Sequence, residues 1–299
     1  MKEFPFKKID AFARGNSLGN PAGYVSLQSF SEISGKEMLQ IAKELKGFVS
    51  EVGYSVKTSE NSFDLKYYSS EREVDFCGHA SIAIMYDLIN NSPDLLAYNT
   101  LSIKTNRGVL TIENRIREED AVFIEAPLPF EKKELPTRED IVRYLQISND
   151  EIDDNLPVSI INAGLTTLLI PINTLDSILS ISPDLNDLNK FCLQSGVDII
   201  EVFSQDVFDA SNNFRARVFA PTFGYLEDPA TGSGNSAFGY YLLKNNLWNG
   251  DIITIEQNGL RDSFNVVKLH KKTDKDGSQK VLFGGGAITR IEGTYFLNE

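Results

Sequence analysis

Apolar and polar positions along this chain change period several times, and the changes come twice in the same order. Ile41-Ala42-Lys43-Glu44-Leu45-Lys46-Gly47 closes a segment with the spacing of an amphipathic helix and leads into the strand-like run Phe48-Val49-Ser50-Glu51-Val52. Leu188-Asn189-Lys190-Phe191-Cys192-Leu193-Gln194-Ser195-Gly196 does the same ahead of Val197-Asp198-Ile199-Ile200-Glu201-Val202. Phe63-Asp64-Leu65-Lys66-Tyr67-Tyr68 alternates as a strand does, and Phe214-Arg215-Ala216-Arg217-Val218-Phe219 is its counterpart. Each is followed by a glycine-bearing turn and an apolar helix, one over 78–89 beginning Gly78-His79-Ala80, the other over 232–243 beginning Gly232-Ser233-Gly234. β-rich segments come next, with Gly108 and Gly259 in matching places. Four matches in one order, at an offset of about 150 residues, indicate an internal duplication.

The two helices are apolar almost all round, and helices of that kind lie buried. Surrounding each with short alternating strands gives an α+β fold of two similar lobes, each a curled, mostly antiparallel sheet around a central helix. The lobes are expected at 1–117, completed by a C-terminal strand at about 287–299, and at 118–286. Two such halves would leave a cleft onto which both central helices direct unsatisfied backbone N–H groups. The polar stretch Lys271-Lys272-Thr273-Asp274-Lys275-Asp276-Gly277-Ser278 reads as a hairpin tip.

Charge narrows the partners. The formal net charge of −13 disfavours nucleic acid, and binding a small anionic metabolite would need local positive potential from helix N-termini or a few cations. No run approaches the roughly 20 apolar residues of a membrane helix, and the N-terminal residues lack the apolar core of a secretory signal. Two cysteines, Cys77 and Cys192, cannot build a disulfide framework and fit a reducing cytoplasm. The histidines are His79 and His270, and no C-x-x-C, H-E-x-x-H or EF-hand pattern accompanies them, so a built-in metal site is not expected.

Several residues could carry chemistry. Gly78, Ala80, Gly232 and Gly234 are small enough to let a ligand approach a helix N-terminus, or equally to let a buried helix pack closely on its sheet. His79 lies in the first turn of its helix, whose dipole favours a neutral imidazole; a hydrogen-bonded structural histidine is the plainer alternative. Ser233 holds the matching place in the second half, where serine is also simply a good N-terminal residue. Asp228 precedes Pro229, as turn residues do. Glu51 faces either solvent or the cleft, and in the cleft it could carry a proton. Cys77 reads as a small buried hydrophobe.

At these residues the chain resembles the phenazine-biosynthesis PhzF-like proteins, which share the diaminopimelate epimerase fold. The resemblance runs through Gly19-Asn20-Pro21-Ala22, Ser50-Glu51, Glu73-Val74-Asp75-Phe76-Cys77-Gly78-His79-Ala80, Gly224, Glu227-Asp228-Pro229-Ala230-Thr231-Gly232-Ser233 and Gly285-Gly286. It implies a duplicated fold with its site between the lobes, a homodimer, and isomerisation by proton transfer without metal or organic cofactor. By motif, Glu51 matches the glutamate that shuttles the proton, and His79, Asp228 and Ser233 match residues that hold and assist the substrate. Gly78 matches the glycine beside that histidine. Related racemases and epimerases use two cysteines at the helix starts; here Cys77 has no mate, which disfavours that chemistry. A non-catalytic binding protein on the same fold is the alternative from another class. Two departures bear on substrate: Gly234 stands where many relatives have alanine, and in the tail Gln257-Asn258-Gly259-Leu260-Arg261-Asp262-Ser263 the family's usual arginine-centred turn is shifted or altered.

Overall fold

The computed structural model describes residues 1–298, and they form two compact units. One is Met1–Glu125 together with the chain from Gly284 on; the other is Ala126–Phe283.

The first unit runs β1 (Lys2–Ala11), β2 (Asn20–Leu27), α1 (Gly35–Glu44), β3 (Glu51–Ser59), β4 (Ser62–Tyr68), β5 (Glu73–Val74), α2 (Gly78–Asn90), α3 (Pro93–Leu96), β6 (Thr100–Thr105), β7 (Gly108–Asn114), α4 (Ile116–Glu119) and β8 (Val122–Glu125). Antiparallel pairing joins β1 to β2, β3 to β4, β6 to β7 and β7 to β8, while β2–β3 and β4–β6 are parallel. Strand alternation then sorts the side chains of β3. Val52 and Tyr54 join Phe4, Phe6 and Val25 in a core covered by Met38, Ile41 and Ala42 of α1. Glu51 and Gly53 belong to the other face, toward α2, where a Cβ on Gly53 would overlap Ile84. Helix α2 packs on β1, β2, β3 and β8, buried from Ala80 to Asp87.

The second unit repeats this plan with β9 (Phe130–Lys132), α5 (Arg138–Leu145), β10 (Ser159–Asn162), β11 (Thr166–Pro171), α6 (Leu175–Ser180), α7 (Leu185–Ser195), β12 (Ile199–Ser204), β13 (Phe214–Phe219), β14 (Glu227–Asp228), α8 (Gly232–Lys244), β15 (Ile252–Gln257), β16 (Asn265–Thr273) and β17 (Gln279–Gly285). The same two pairs are parallel, β11–β12 and β13–β15. Ile200 and Val202 face α5, α6 and α7, with Ile141, Leu188 and Phe191 in one core. Phe203 faces α8, its ring 4.5 Å from Phe238 and 5.2 Å from Tyr241. Both central helices have 13 residues and extended N-cap residues of near-identical dihedrals, Cys77 (φ −130°, ψ 111°) and Thr231 (φ −123°, ψ 118°). Both end at an asparagine whose N–H bonds back into the last turn, Asn91 and Asn245. The fold is the duplicated α+β architecture expected from the pattern. The last strand, β18 (Ala287–Leu297), returns to the first unit and pairs antiparallel with β1.

Boundaries differ from expectation in four places. Residues 48–50 form a turn, with Phe48 and Val49 N–H groups bonded to the Leu45 carbonyl, so β3 starts at Glu51. The chain divides after Glu125 rather than 117 because β8 pairs with β7. It divides again before Gly284 rather than after 286. The hairpin tip is confined to 274–278, Lys271–Thr273 still belonging to β16. Gly259 does not play the part of Gly108: in the second unit Asn258 takes the positive φ (133°), whereas Gly108 takes it in the first (115°).

Candidate functional site

In the first unit, the polar site is assembled where β3 begins and α2 begins. Gly19 (φ 62°) turns the chain so tightly that a Cβ there would meet the Ala11 carbonyl at 2.6 Å. The turn delivers Asn20, whose side-chain oxygen accepts from the Ser50 hydroxyl at 3.1 Å, while the Ser50 N–H donates to the Pro21 carbonyl at 2.9 Å. Those two bonds set Glu51 opposite Ala22 at the head of the parallel β2–β3 pair, on the face toward α2. Its Oε2 lies 3.3 Å from His79 Nε2, with side chains 24% and 12% exposed. Solvent-facing Glu51, one of the two readings of the strand alone, is therefore not what the fold adopts.

His79 is held below the ordinary histidine value, first by burial, with the Glu51 carboxylate opposing that shift. The direction is the one expected, but desolvation rather than the helix dipole is its largest cause. Cys77 is buried as the sequence reading has it, and polar neighbours are added to that reading. Its Sγ lies 3.8 Å from Glu51 Oε2 and 3.4 Å from His79 Nδ1. Its place as N-cap, two residues before a first-turn histidine, was the signal available. Ligand atoms of Glu51, Cys77 and His79 all fall within 4.8 Å of one another, so these are the residues that could hold a metal. The sulfur is close to both ring nitrogens, 3.4 and 3.9 Å, and so is not aligned with the lone pair of either. Gly78 and Ala80 sit beside His79 in the same first turn, and α2 has no side-chain cap and no acidic residue there.

In the second unit, Asp228, Gly232, Ser233 and Gly234 come together at the start of α8. Asp228 Oδ2 accepts from the Thr231 hydroxyl at 2.5 Å. Gln257, at the end of β15, was seen in sequence only as part of a divergent tail; it is the bracket of this corner. Its side-chain oxygen accepts from the Thr231 N–H (3.1 Å) and the Asn235 amide (2.7 Å), and its NH2 donates to the Asp228 carbonyl (3.0 Å). Asn265 adds a bond to the Pro229 carbonyl at 2.7 Å. Helix α8, like α2, has neither a side-chain cap nor an acid in its first turn, which leaves its leading N–H groups without intrahelical acceptors. The small residues here answer to packing. A Cβ on Gly232 would lie 2.5 Å from the Phe283 ring, and one on Gly234 would lie 2.7 Å from Glu201 Oε2. The hydroxyl of Ser233 lies over Gly164 (φ 121°), where a Cβ would be 3.4 Å from it.

Comparison with known proteins places the chain in a family. The model of the phenazine biosynthesis-like protein family matches residues 9–293. The chain belongs to that family. An uncharacterized isomerase of Clostridium acetobutylicum is 26% identical over 100% of both chains. A second, YfhB of Bacillus subtilis, is 28% identical over 81% of this chain and 82% of its own. Among solved structures, a PhzF-family phenazine biosynthesis protein of Bacillus anthracis superposes with a TM-score of 0.86 at 21% identity, covering 99% of this chain and 100% of that one. The likeness to that structure establishes the fold, and family membership with the isomerase relatives establishes the enzyme class, isomerase.

Proposed function

We propose that this isomerase moves a proton on a small carboxylated metabolite, cyclic or amino-acid-like, by acid–base chemistry alone. The observation that carries the reading is the 3.3 Å contact between Glu51 Oε2 and His79 Nε2 beside the uncapped start of α2. Glu51 takes the proton from carbon and returns it to another atom of the same substrate. His79, kept neutral by burial, can donate or accept one hydrogen bond without adding charge. Removing a proton next to a carboxylate builds negative charge, and uncapped helix N–H groups are fixed donors for such charge, a contribution of about 3 kcal/mol per well-placed donor. Asp228 and Ser233 are assigned, from their motif, to holding the substrate. No step asks for metal or organic cofactor. The setting we assign is a cytoplasmic homodimer working on an anionic metabolite.

Racemisation by a thiol pair is the less favoured reading, because the N-cap counterpart of Cys77 in the second unit is Thr231, which has no thiol. A panel of cyclic and amino-acid carboxylates incubated with the protein in deuterated water tests the proposal. One class should incorporate deuterium into carbon-bound positions, and Glu51→Gln should slow that incorporation by about 10²–10⁴-fold while leaving binding in place. Incorporation at the parent rate by Glu51→Gln would remove the glutamate from the mechanism. Incorporation confined to the α-carbon of free amino acids, with loss of optical activity, would favour the racemase.

A further inference from the structure

The second unit contains a carboxyl group that the reading above does not use. Glu201 lies in the middle of β12, on the face toward α8, between Ile199 and Phe203 along the strand and opposite Leu169 of β11 and Val218 of β13. It is fully buried, and neither carboxyl oxygen has a hydrogen-bond partner. Its Oε2 occupies the space beside the first turn of α8 that a Cβ on Gly234 would need, 2.7 Å from that position. In the first unit the equivalent strand position is Gly53, opposite Tyr67 as Glu201 is opposite Val218. The carboxyl is thus an addition to one copy of the repeat, and the missing side chain at 234 makes room for it.

An unpaired buried carboxylate costs several kcal/mol, so such a group stays protonated. Burial alone pushes Glu201 up to about 8. The charged and titratable groups on the surrounding elements are engaged elsewhere. Asp198, ahead of β12, accepts from the Thr166 N–H; Arg215 and Arg217 of β13 pair with Glu256 and Glu227; Asp228 accepts from Thr231. On α8, the Tyr241 hydroxyl donates to the Pro157 carbonyl, the Tyr240 hydroxyl accepts from the Val281 N–H, and Lys244 pairs with Glu131. β11 carries no titratable group.

We propose that Glu201 is a positioning residue that gates the first turn of α8: neutral, it leaves the leading N–H groups of that turn free for an anionic substrate, and ionised, it competes for them. Glu201 Oε2 sits against the first turn of α8, whose uncapped N–H groups attract negative charge through both hydrogen bonding and the helix dipole. The functional half of the inference rests on the reading that α8 holds the substrate's carboxylate; the protonation half stands without it.

Thermal unfolding of the full chain as a function of pH tests the first half, comparing the parent with Glu201→Gln and Glu201→Met. In the unfolded chain the group titrates near its ordinary 4.5 and in the folded chain near 8, so the folded protein binds the extra proton between those values. Stability from this group is therefore full below 4.5, falls as pH rises through the window, and levels above 8. The parent's Tm should fall relative to both variants across that window; three parallel curves would overturn the proposal. The deuterium-incorporation assay tests the second half. For the exchanging compound, KM of the parent should rise several-fold above pH 8 with kcat little changed, and KM of both variants should stay level. A level KM in the parent, with Glu51→Gln still inactive, overturns the gate and leaves the proton-transfer reading intact. Full exchange by Glu51→Gln does the reverse, and the unfolding curves still decide the state of Glu201.

Discussion

Glu51 and His79 owe their contact to two periodicities. Alternation along β3 turns Glu51 and Gly53 to the same face as α2, and the first helical turn after Cys77 brings His79 back to meet the carboxylate. The carboxylate itself was legible only through the motif it belongs to, because a strand that starts at the residue in question gives no alternation on one side. The Cys77 thiol was missed since a small apolar-looking residue before a helix is ordinarily filler. Glu201 was passed over inside Ile199-Ile200-Glu201-Val202, although one carboxylate in a run of branched apolar residues is itself the anomaly. His79 makes a prediction at this scale. Its folded value lies below the ordinary 6.5, so as pH falls through 6.5 the unfolded chain takes up a proton that the folded chain refuses. Stability is lost in that direction. On acidification below 6.5 the parent's Tm should drop more steeply than that of His79→Gln. Curves of equal slope would show that His79 is not held neutral.

The central helices were the most legible elements, because an all-round apolar segment has one place to go and a repeat of it nearly fixes the architecture. What sequence could not settle was why their first turns are small. Ligand approach and close packing both call for glycine, and the structure assigns Gly232 to packing, with Phe283 Cε2 2.5 Å and Cδ2 2.8 Å from a would-be Cβ. Phe283 is itself buried and cannot give way freely. Gly232→Ala should therefore destabilise the fold by about 1–3 kcal/mol, as inserting a methyl into a filled core does, seen as a lower denaturant midpoint at unchanged m-value. A midpoint equal to the parent's would mean that the ring moves aside and that the glycine serves something else. Gly234 differs in kind: the atom in its way is a carboxyl oxygen, that of Glu201, and not a ring. Loops were least legible. The turn before β7 takes two residues, Asn106 and Arg107, whereas its counterpart runs from Asn258 to Phe264 under the Arg215 guanidinium, which holds the Asn258 and Leu260 carbonyls.

The duplicated units are not consecutive along the chain, because the first is closed by the last strand. β18 pairs with β1 along its whole length, from Lys2 opposite Leu297 to Ala11 opposite Ala287. It also completes two buried charge clusters. Asp10, 2% exposed, is paired with Lys8 and with Arg290 of β18 at 3.0 Å. Asp87 of α2, 4% exposed, takes Lys7 at 2.8 Å and the hydroxyl of Thr289 at 2.6 Å. Cutting the chain after Gly286 would leave both carboxylates short of a partner and expose one full edge of β1. Asp10 would keep Lys8 and Asp87 would keep Lys7, so each loses one hydrogen bond to a charged group, about 1.5–3 kcal/mol, in addition to the main-chain bonds of a whole strand pairing. The truncated chain is therefore expected to lose the cooperative unfolding transition of the first unit and to be cleaved rapidly by protease within residues 1–125. Residues 126–283 hold their own core between β12 and α5–α7 and should resist. Adding a synthetic peptide of residues 287–299 should restore protection of β1 if the closure is the strand itself. Unchanged protease resistance after truncation would show that the remaining sheet suffices, and that Glu51 and His79 stand on a unit complete without its C-terminal strand.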